Sequence, residues 1–228
     1  MRVKKLLQTV LVFVRVPEKG RVKTRLMGRL DPEIVRRLYM CFVEDILDTL
    51  VRGGIDVTIC YDPSDGKEKM VAWLGGSYDM MPQQGAALGE KMAHAFSEIF
   101  SKGTERAVLI GSDFPDFEVD IVHDAFAKLL THDVVLGPAA DGGYYLIGFQ
   151  AGSFSPTLFN DMPWGSRHVF MKTAGRITEA NLSMATLRQW HDIDTLEDLK
   201  AFYLRAKAKG LTNLKTMKFL TQNRELMA

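Results

Sequence analysis

Short apolar, β-branched runs alternate with amphipathic helical stretches along almost the whole chain, which restricts the fold to a few layered α/β arrangements. Residues 10–16 are apolar except for Arg15, as expected of a strand covered on both faces. Asp31-Pro32-Glu33 then opens a helix, with Asp as N-cap, Pro at the first helical position and an acid in the first turn. Ile34, Val35, Leu38, Phe42, Ile46, Leu47 and Leu50 recur at helical spacing until Gly53-Gly54. The same reading predicts strands at 55–61, 78–81, 107–110, 134–136, 144–149 and 184–187. Helices are predicted at 67–74, 88–100, 119–130, 166–180, 195–208 (capped by Asp194) and near 213–221. With no repeat and no Pro/Gly-rich linker, residues 1–228 read as a single domain. It is a mostly parallel central sheet flanked by helices on both faces.

Composition narrows the function classes. Of 228 residues, 46% are apolar and 25% charged, which excludes a disordered or collagen-like chain. A net charge of +1 argues against a nucleic-acid binder. No apolar run reaches the ~18 residues of a membrane span. Residues 1–7 mimic the basic start of a secretion signal, but the apolar stretch 9–14 is short and meets Arg15 without a cleavage site. A cytoplasmic protein is expected, with Cys41 and Cys60 reduced. Charge is unevenly spread. Residues 15–29 carry Arg15, Lys19, Arg21, Lys23, Arg25 and Arg29 against Glu18 alone. A second basic stretch covers 205–228, read as a solvated helix face, while acids gather at 113–124. A basic loop and an acidic loop suggest a metal–phosphate site.

Four segments fall where open parallel sheets bind ligands, beyond strand ends. In Pro17-Glu18-Lys19-Gly20-Arg21-Val22-Lys23-Thr24-Arg25, Gly20 allows a tight turn, and Lys23, Thr24 and Arg25 offer charge and a hydroxyl to a polyphosphate. A plain solvated loop is the alternative, and the segment lacks the P-loop pattern. Asp113, after the strand at 107–110, is either a Mg²⁺ carboxylate or a turn cap. Asp141-Gly142-Gly143 is either a hairpin turn or a close backbone approach to a ligand. Asp194, in His191-Asp192-Ile193-Asp194-Thr195-Leu196-Glu197-Asp198-Leu199, is either a helix cap or a site acid. Trp164, in a loop, is either core or a ligand cover. The histidines show no metal-ligand spacing.

In this order, over residues 8–203, the segments resemble the glycosyltransferase-A-like branch of the nucleotide-diphospho-sugar transferase superfamily. The nearest resemblance is to a bacterial family of uncharacterised glycosyltransferase-like proteins. Phospholactate and molybdenum-cofactor guanylyltransferases are more distant. The resemblance implies that Arg15, Gly20, Lys23, Thr24, Arg25, Gln84 and Gly85 bind nucleotide phosphates, and that Asp113 and Asp194 hold Mg²⁺ or Mn²⁺. Lys23 and Asp113 become the catalytic pair, and Asp141, Gly142, Gly143 and Trp164 the acceptor side. Residues 204–228 lie beyond it as a basic helical extension. The implied reaction is nucleotidyl or glycosyl transfer from a nucleoside triphosphate or nucleotide-sugar to a small acceptor. Three positions depart from the pattern: Ala87 for a usual Asp, Lys91 for Arg, and Gly165 for Ser. Arg15 also stands where Lys is common. Ala87 is the ground for the alternative, a non-catalytic nucleotide-binding or assembly protein with a degenerate site.

Overall fold

A computed structural model describes residues 7–227; the signal-like residues 1–6 lie outside the described residues. Among the described residues, seven strands form one sheet in the order β3-β2-β1-β4-β6-β5-β7. They are β1 (Gln8–Arg15), β2 (Val57–Asp62), β3 (Asp79–Pro82), β4 (Arg106–Ile110), β5 (Val134–Pro138), β6 (Tyr144–Gln150) and β7 (Met184–Thr186). All pairings are parallel except those of β6, which runs antiparallel to both β4 and β5. β5 and β6 form a hairpin, so the Asp141-Gly142-Gly143 turn delivers the start of β6 to the edge where β1, β2 and β4 end.

Both sheet faces are covered, which is why the strands read as unbroken apolar runs. Val10, Val12, Val14, Ile59, Val108 and Ile110 pack under α1 (Pro32–Arg52), α2 (Lys67–Leu74) and α4 (Val119–Lys128). Leu11, Cys60, Leu109, Ile147 and Phe149 face α3 (Leu88–Ser101) and α5 (Val169–Glu179). Period-two alternation sorts neighbours such as Val10 and Leu11 onto opposite faces.

Helix α1 starts as its sequence dictates: the Asp31 carboxylate accepts the Glu33 N–H at 2.7 Å, with Pro32 in the first turn. Its end displaces the next strand. Ile55 N–H bonds to the Leu50 carbonyl, so β2 begins at Val57 instead of Ile55. One side of α1 faces the sheet; the other, with Val35, Leu38 and Phe42, packs on α6 (Leu196–Ala208) and α7 (Lys215–Gln222) through Leu199, Phe202 and Leu220.

The basic C-terminal stretch is therefore a docked third layer, and its expectation as only a solvated face is corrected. Met217 and Leu220 are buried, and the buried Asp45 of α1 accepts the N–H groups of Lys215 (2.7 Å) and Thr216 (2.9 Å), capping α7.

Candidate functional site

The C-terminal ends of β1, β2 and β4 open onto a cleft of about 590 Å³. Tyr39, buried on α1, ties two of its walls together. Its hydroxyl accepts the Arg15 N–H at 2.9 Å and shares a 3.0 Å hydrogen bond with the Ser112 hydroxyl. That fixes the end of β1 against the Gly111-Ser112-Asp113 loop after β4. Burial pushes the Tyr39 pKa up, and Asp113 adds to the shift, so the hydroxyl stays protonated.

Lys23 lies at the centre. Its ammonium donates to the Ile193 carbonyl at 2.6 Å, to Asp194 Oδ1 at 2.9 Å, and pairs with Asp113 Oδ1 at 2.8 Å. The side chain is only 5% exposed. Burial pulls its pKa down, but the Asp113 and Asp194 carboxylates outweigh burial and the net shift is upward. It is a charged lysine. Arg25, 71% exposed, reaches Asp194 Oδ2 at 3.3 Å. The structure thus brings Asp113 and Asp194 onto one cation.

Asp194 is available because it is not the cap of α6. Thr195 fills that place, its hydroxyl accepting from the Asp198 N–H (3.2 Å), and this corrects the expected Asp194 cap. Nor does Asp113 accept a backbone N–H among the described hydrogen bonds, so its turn-cap reading lapses. Behind the pair, Asp192 keeps Oδ1 buried without a hydrogen-bond partner. Burial, with repulsion from Asp141, Asp113 and Asp194, raises its pKa to about 7.

The remaining expected residues divide. Arg15, Lys23, Thr24 and Arg25 line the cleft. Gly20 lies outside its lining, in the turn before it at φ 82°. Gln83 lines the cleft, its amide donating to the Cys60 carbonyl at 2.7 Å, whereas Gln84 is exposed outside the lining. Gly85 shapes the approach to α3: a Cβ there would stand 2.6 Å from that of Glu90, whose carboxylate accepts the Ala86 N–H at 2.7 Å. Asp141 accepts the Gly143 N–H at 2.8 Å, and Gly142 (φ 92°) lies against the Arg167 backbone. Trp164 lines a neighbouring cavity of about 580 Å³ that also takes in Ala87. Its ring meets Tyr144, a cleft residue, edge-on at 6.4 Å.

Two features escaped the sequence reading. Lys91 pairs with Asp62 at 2.7 Å across the cleft wall. Asp192 is the second: the alternation Asp192-Ile193-Asp194 around the buried Ile193 sets both acids on the other side of the chain.

Among the described residues, no three His, Cys, Asp or Glu are arranged to hold a metal ion. Two partly exposed carboxylates nonetheless suit Mg²⁺ or Mn²⁺, which take one or two acids and fill their remaining positions with phosphate oxygens and water. Asp113 and Asp194 are the residues that would hold one.

This sheet order, with a cleft across the ends of its parallel strands, is the nucleotide-diphospho-sugar transferase fold. The chain belongs to the bacterial family described as "Uncharacterized protein conserved in bacteria (DUF2064)", matched over residues 46–166. It is 40% identical to the crystal structure of a candidate nucleotide-diphospho-sugar transferase from Desulfovibrio desulfuricans G20, over 96% of both chains, with TM-score 0.92. Fold alone is shared with 4-diphosphocytidyl-2C-methyl-D-erythritol synthase from Anaerococcus prevotii DSM 20548 (10% identity, 88% of this chain and 96% of that one, TM-score 0.55). The same holds for glucosyl-3-phosphoglycerate synthase from Mycobacterium tuberculosis, solved with Mn²⁺, UDP and phosphoglyceric acid (12% identity, 92% and 79%, TM-score 0.52). No curated protein matches the chain.

Proposed function

We propose that this chain is a divalent-cation-dependent transferase that takes a nucleoside triphosphate or nucleotide-sugar and passes a nucleotidyl or glycosyl group to a small acceptor. One observation carries the reading: Asp113, following β4, and Asp194, preceding α6, meet on Lys23 in the cleft at the strand ends. Carboxylates in that position have an obvious use when a cation and phosphates share the cleft. Arg15, Thr24 and Arg25 line the same wall and supply positive charge and a hydroxyl to phosphate oxygens.

A Mg²⁺ or Mn²⁺ ion bound by Asp113 and Asp194 would supply charge neutralisation for the phosphates. In nucleotidyl transfer, an acceptor phosphate or hydroxyl attacks the α-phosphorus and pyrophosphate leaves. In glycosyl transfer the acceptor attacks the sugar and a nucleoside diphosphate leaves. Either way the chain acts by positioning and by fixed charge. The start of β6, with the 141–143 turn and Trp164 nearby, is the side assigned to the acceptor. Among the described residues no helix is long and apolar enough to cross a membrane. Free thiols at Cys41 and Cys60 fit a reducing compartment, and we place the activity in the cytoplasm.

The experiment is a thermal-shift screen of nucleoside triphosphates and nucleotide-sugars with and without Mn²⁺, followed by calorimetric titration of the best ligand into parent and Asp113→Asn. Stabilisation that needs both ligand and Mn²⁺ is expected in the parent and absent in the variant. Equal metal-dependent affinity in the two proteins would falsify the assignment of Asp113. Metal-dependent binding by the parent, with turnover of no acceptor, would favour the binding-protein alternative. That alternative rests on Ala87, which lines the cavity beside Trp164 and not the cleft around Lys23.

A further inference from the structure

Lys23 is expected to grip nucleotide phosphates, yet its ammonium is already enclosed by two carboxylates and a carbonyl. An ammonium carries three donors. Two are engaged in hydrogen bonds, with Asp194 Oδ1 at 2.9 Å and the Ile193 carbonyl at 2.6 Å, and Asp113 Oδ1 stands 2.8 Å away as the ion-pair partner on the remaining side. The side chain is almost fully buried, so the arrangement is not a chance surface pairing. Its backbone is left-handed, with φ at 48°, a conformation uncommon for a lysine.

We propose that Lys23 is a positioning residue, the resident counter-ion of the Asp113–Asp194 pair, and that the site therefore takes its divalent cation together with nucleotide phosphates and not as the free ion. The proposal rests on the transferase reading above and assigns Lys23 a different part in it. Two like-charged carboxylates side by side repel one another and would swing apart in an empty site. Lys23 holds them at one point. The same ammonium, with Arg25 on the far oxygen of Asp194, cancels much of the field that would attract a lone 2+ ion. Incoming phosphates restore that negative charge and complete the cation's oxygen shell.

The test titrates Mn²⁺ alone, without nucleotide, into the parent, Lys23→Met, Lys23→Gln and Lys23→Arg, each checked for folding by circular dichroism. Binding is read by calorimetry and by the Mn²⁺ paramagnetic resonance signal. Asp192 stands beside the pair in every variant, so the comparison isolates position 23. Free Mn²⁺ should bind at least tenfold more tightly to the Met and Gln variants than to the parent. The Arg variant, which keeps the charge, should resemble the parent, and adding Asp113→Asn to the Met variant should abolish the gain. Folded Met or Gln variants that bind Mn²⁺ no more tightly than the parent would overturn the proposal. So would micromolar binding of free Mn²⁺ by the parent, which needs no variant to fold. None of these arms contains nucleotide, so their outcome is separable from that of the ligand screen.

Discussion

Thr195 and Asp198 cap helix α6 reciprocally. The Thr195 hydroxyl accepts the Asp198 N–H at 3.2 Å, and the Asp198 carboxylate accepts the Thr195 N–H at 2.8 Å. The same carboxylate takes the Asp194 N–H at 3.2 Å. The helix start is thereby satisfied without the Asp194 side chain, which turns to Lys23 and Arg25. A capping box one residue downstream releases an acid for the cleft.

Arg25 separates binding from stability. Its pairing with Asp194 is largely exposed, and exposed pairs contribute about 0–1 kcal/mol to folding. Arg25→Ala should leave denaturant stability almost unchanged. Its affinity for the nucleotide found by screening should fall by about 1.5–3 kcal/mol, the range for hydrogen bonds to charged groups. Calorimetric titration of both proteins checks it; unchanged affinity would make this part of the loop a solvated turn.

Gly142 should not tolerate a side chain. Its φ is 92°, and an added Cβ would stand 2.3 Å from the Arg167 carbonyl oxygen. Gly142→Ala should cost at least about 2 kcal/mol in urea unfolding, since neither the turn nor the Arg167 backbone can yield freely. A loss below ~0.5 kcal/mol would mean that the hairpin relaxes easily.

Ala87 occupies the N-cap of α3 in an extended conformation, with no side-chain cap. An Asp there would accept an orphan N–H of the first turn. Ala87→Asp should raise stability by roughly 1 kcal/mol. If Ala87 marks a degenerate site, the same change should restore turnover; if it marks only a missing cap, turnover should stay level while the melting temperature rises.

Asp45 joins α1 to α7 through two backbone N–H groups. Asp45→Ala leaves both without their acceptor, in a buried setting. A loss of about 1–3 kcal/mol is expected, with faster amide hydrogen exchange confined first to α7. Uniform acceleration across the sheet would argue against a local role.

The thiols should be slow to react. Burial first, and then Glu44 and Asp45, hold the Cys41 pKa up at about 12. The thiolate is the reactive form, so at pH 8 about one Cys41 in ten thousand is ionised, against about a quarter of an ordinary thiol. Labelling by an aromatic disulfide should accelerate about tenfold per unit from pH 7 to 10 without levelling off. Cys60, fully buried, should label only on unfolding. A plateau near pH 9 would show Cys41 to be an ordinary exposed thiol.

Local rules made much of the fold readable. The continuous run in β1 reported two covered faces and Asp31-Pro32 marked the start of α1, while Gly-Gly after Asp141 left a hairpin as one of two readings, and the structure forms it. What stayed hidden depended on one-residue choices or on distance along the chain. Gln83 and Gln84 are chemically identical, and only the strand's period decides which faces the cleft. Asp194 and Thr195 are both good caps, each with an acid three residues on (Glu197 and Asp198), so the local sequence does not select between them. Met217 and Leu220 are spaced as a helix face, but the surrounding lysines gave that segment the look of a solvated one. No local pattern reports that the Lys23 ammonium meets residues 113, 193 and 194.

That last contact spans 171 positions between Lys23 and Asp194. A chain made from its N-terminus at roughly 5–20 residues per second must wait on the order of 10–30 seconds between the appearance of the two. Through that interval the strands up to β7 become available to one another, while the lysine has no carbonyl from position 193 to meet and the outer face of α1 still lacks α6 and α7. The cleft is thus finished only after all seven described strands have been made. A nascent chain stalled before residue 194 would carry a nearly complete sheet and a basic loop, but no acid pair. Ligand capture is in this way deferred until residue 194 has been made.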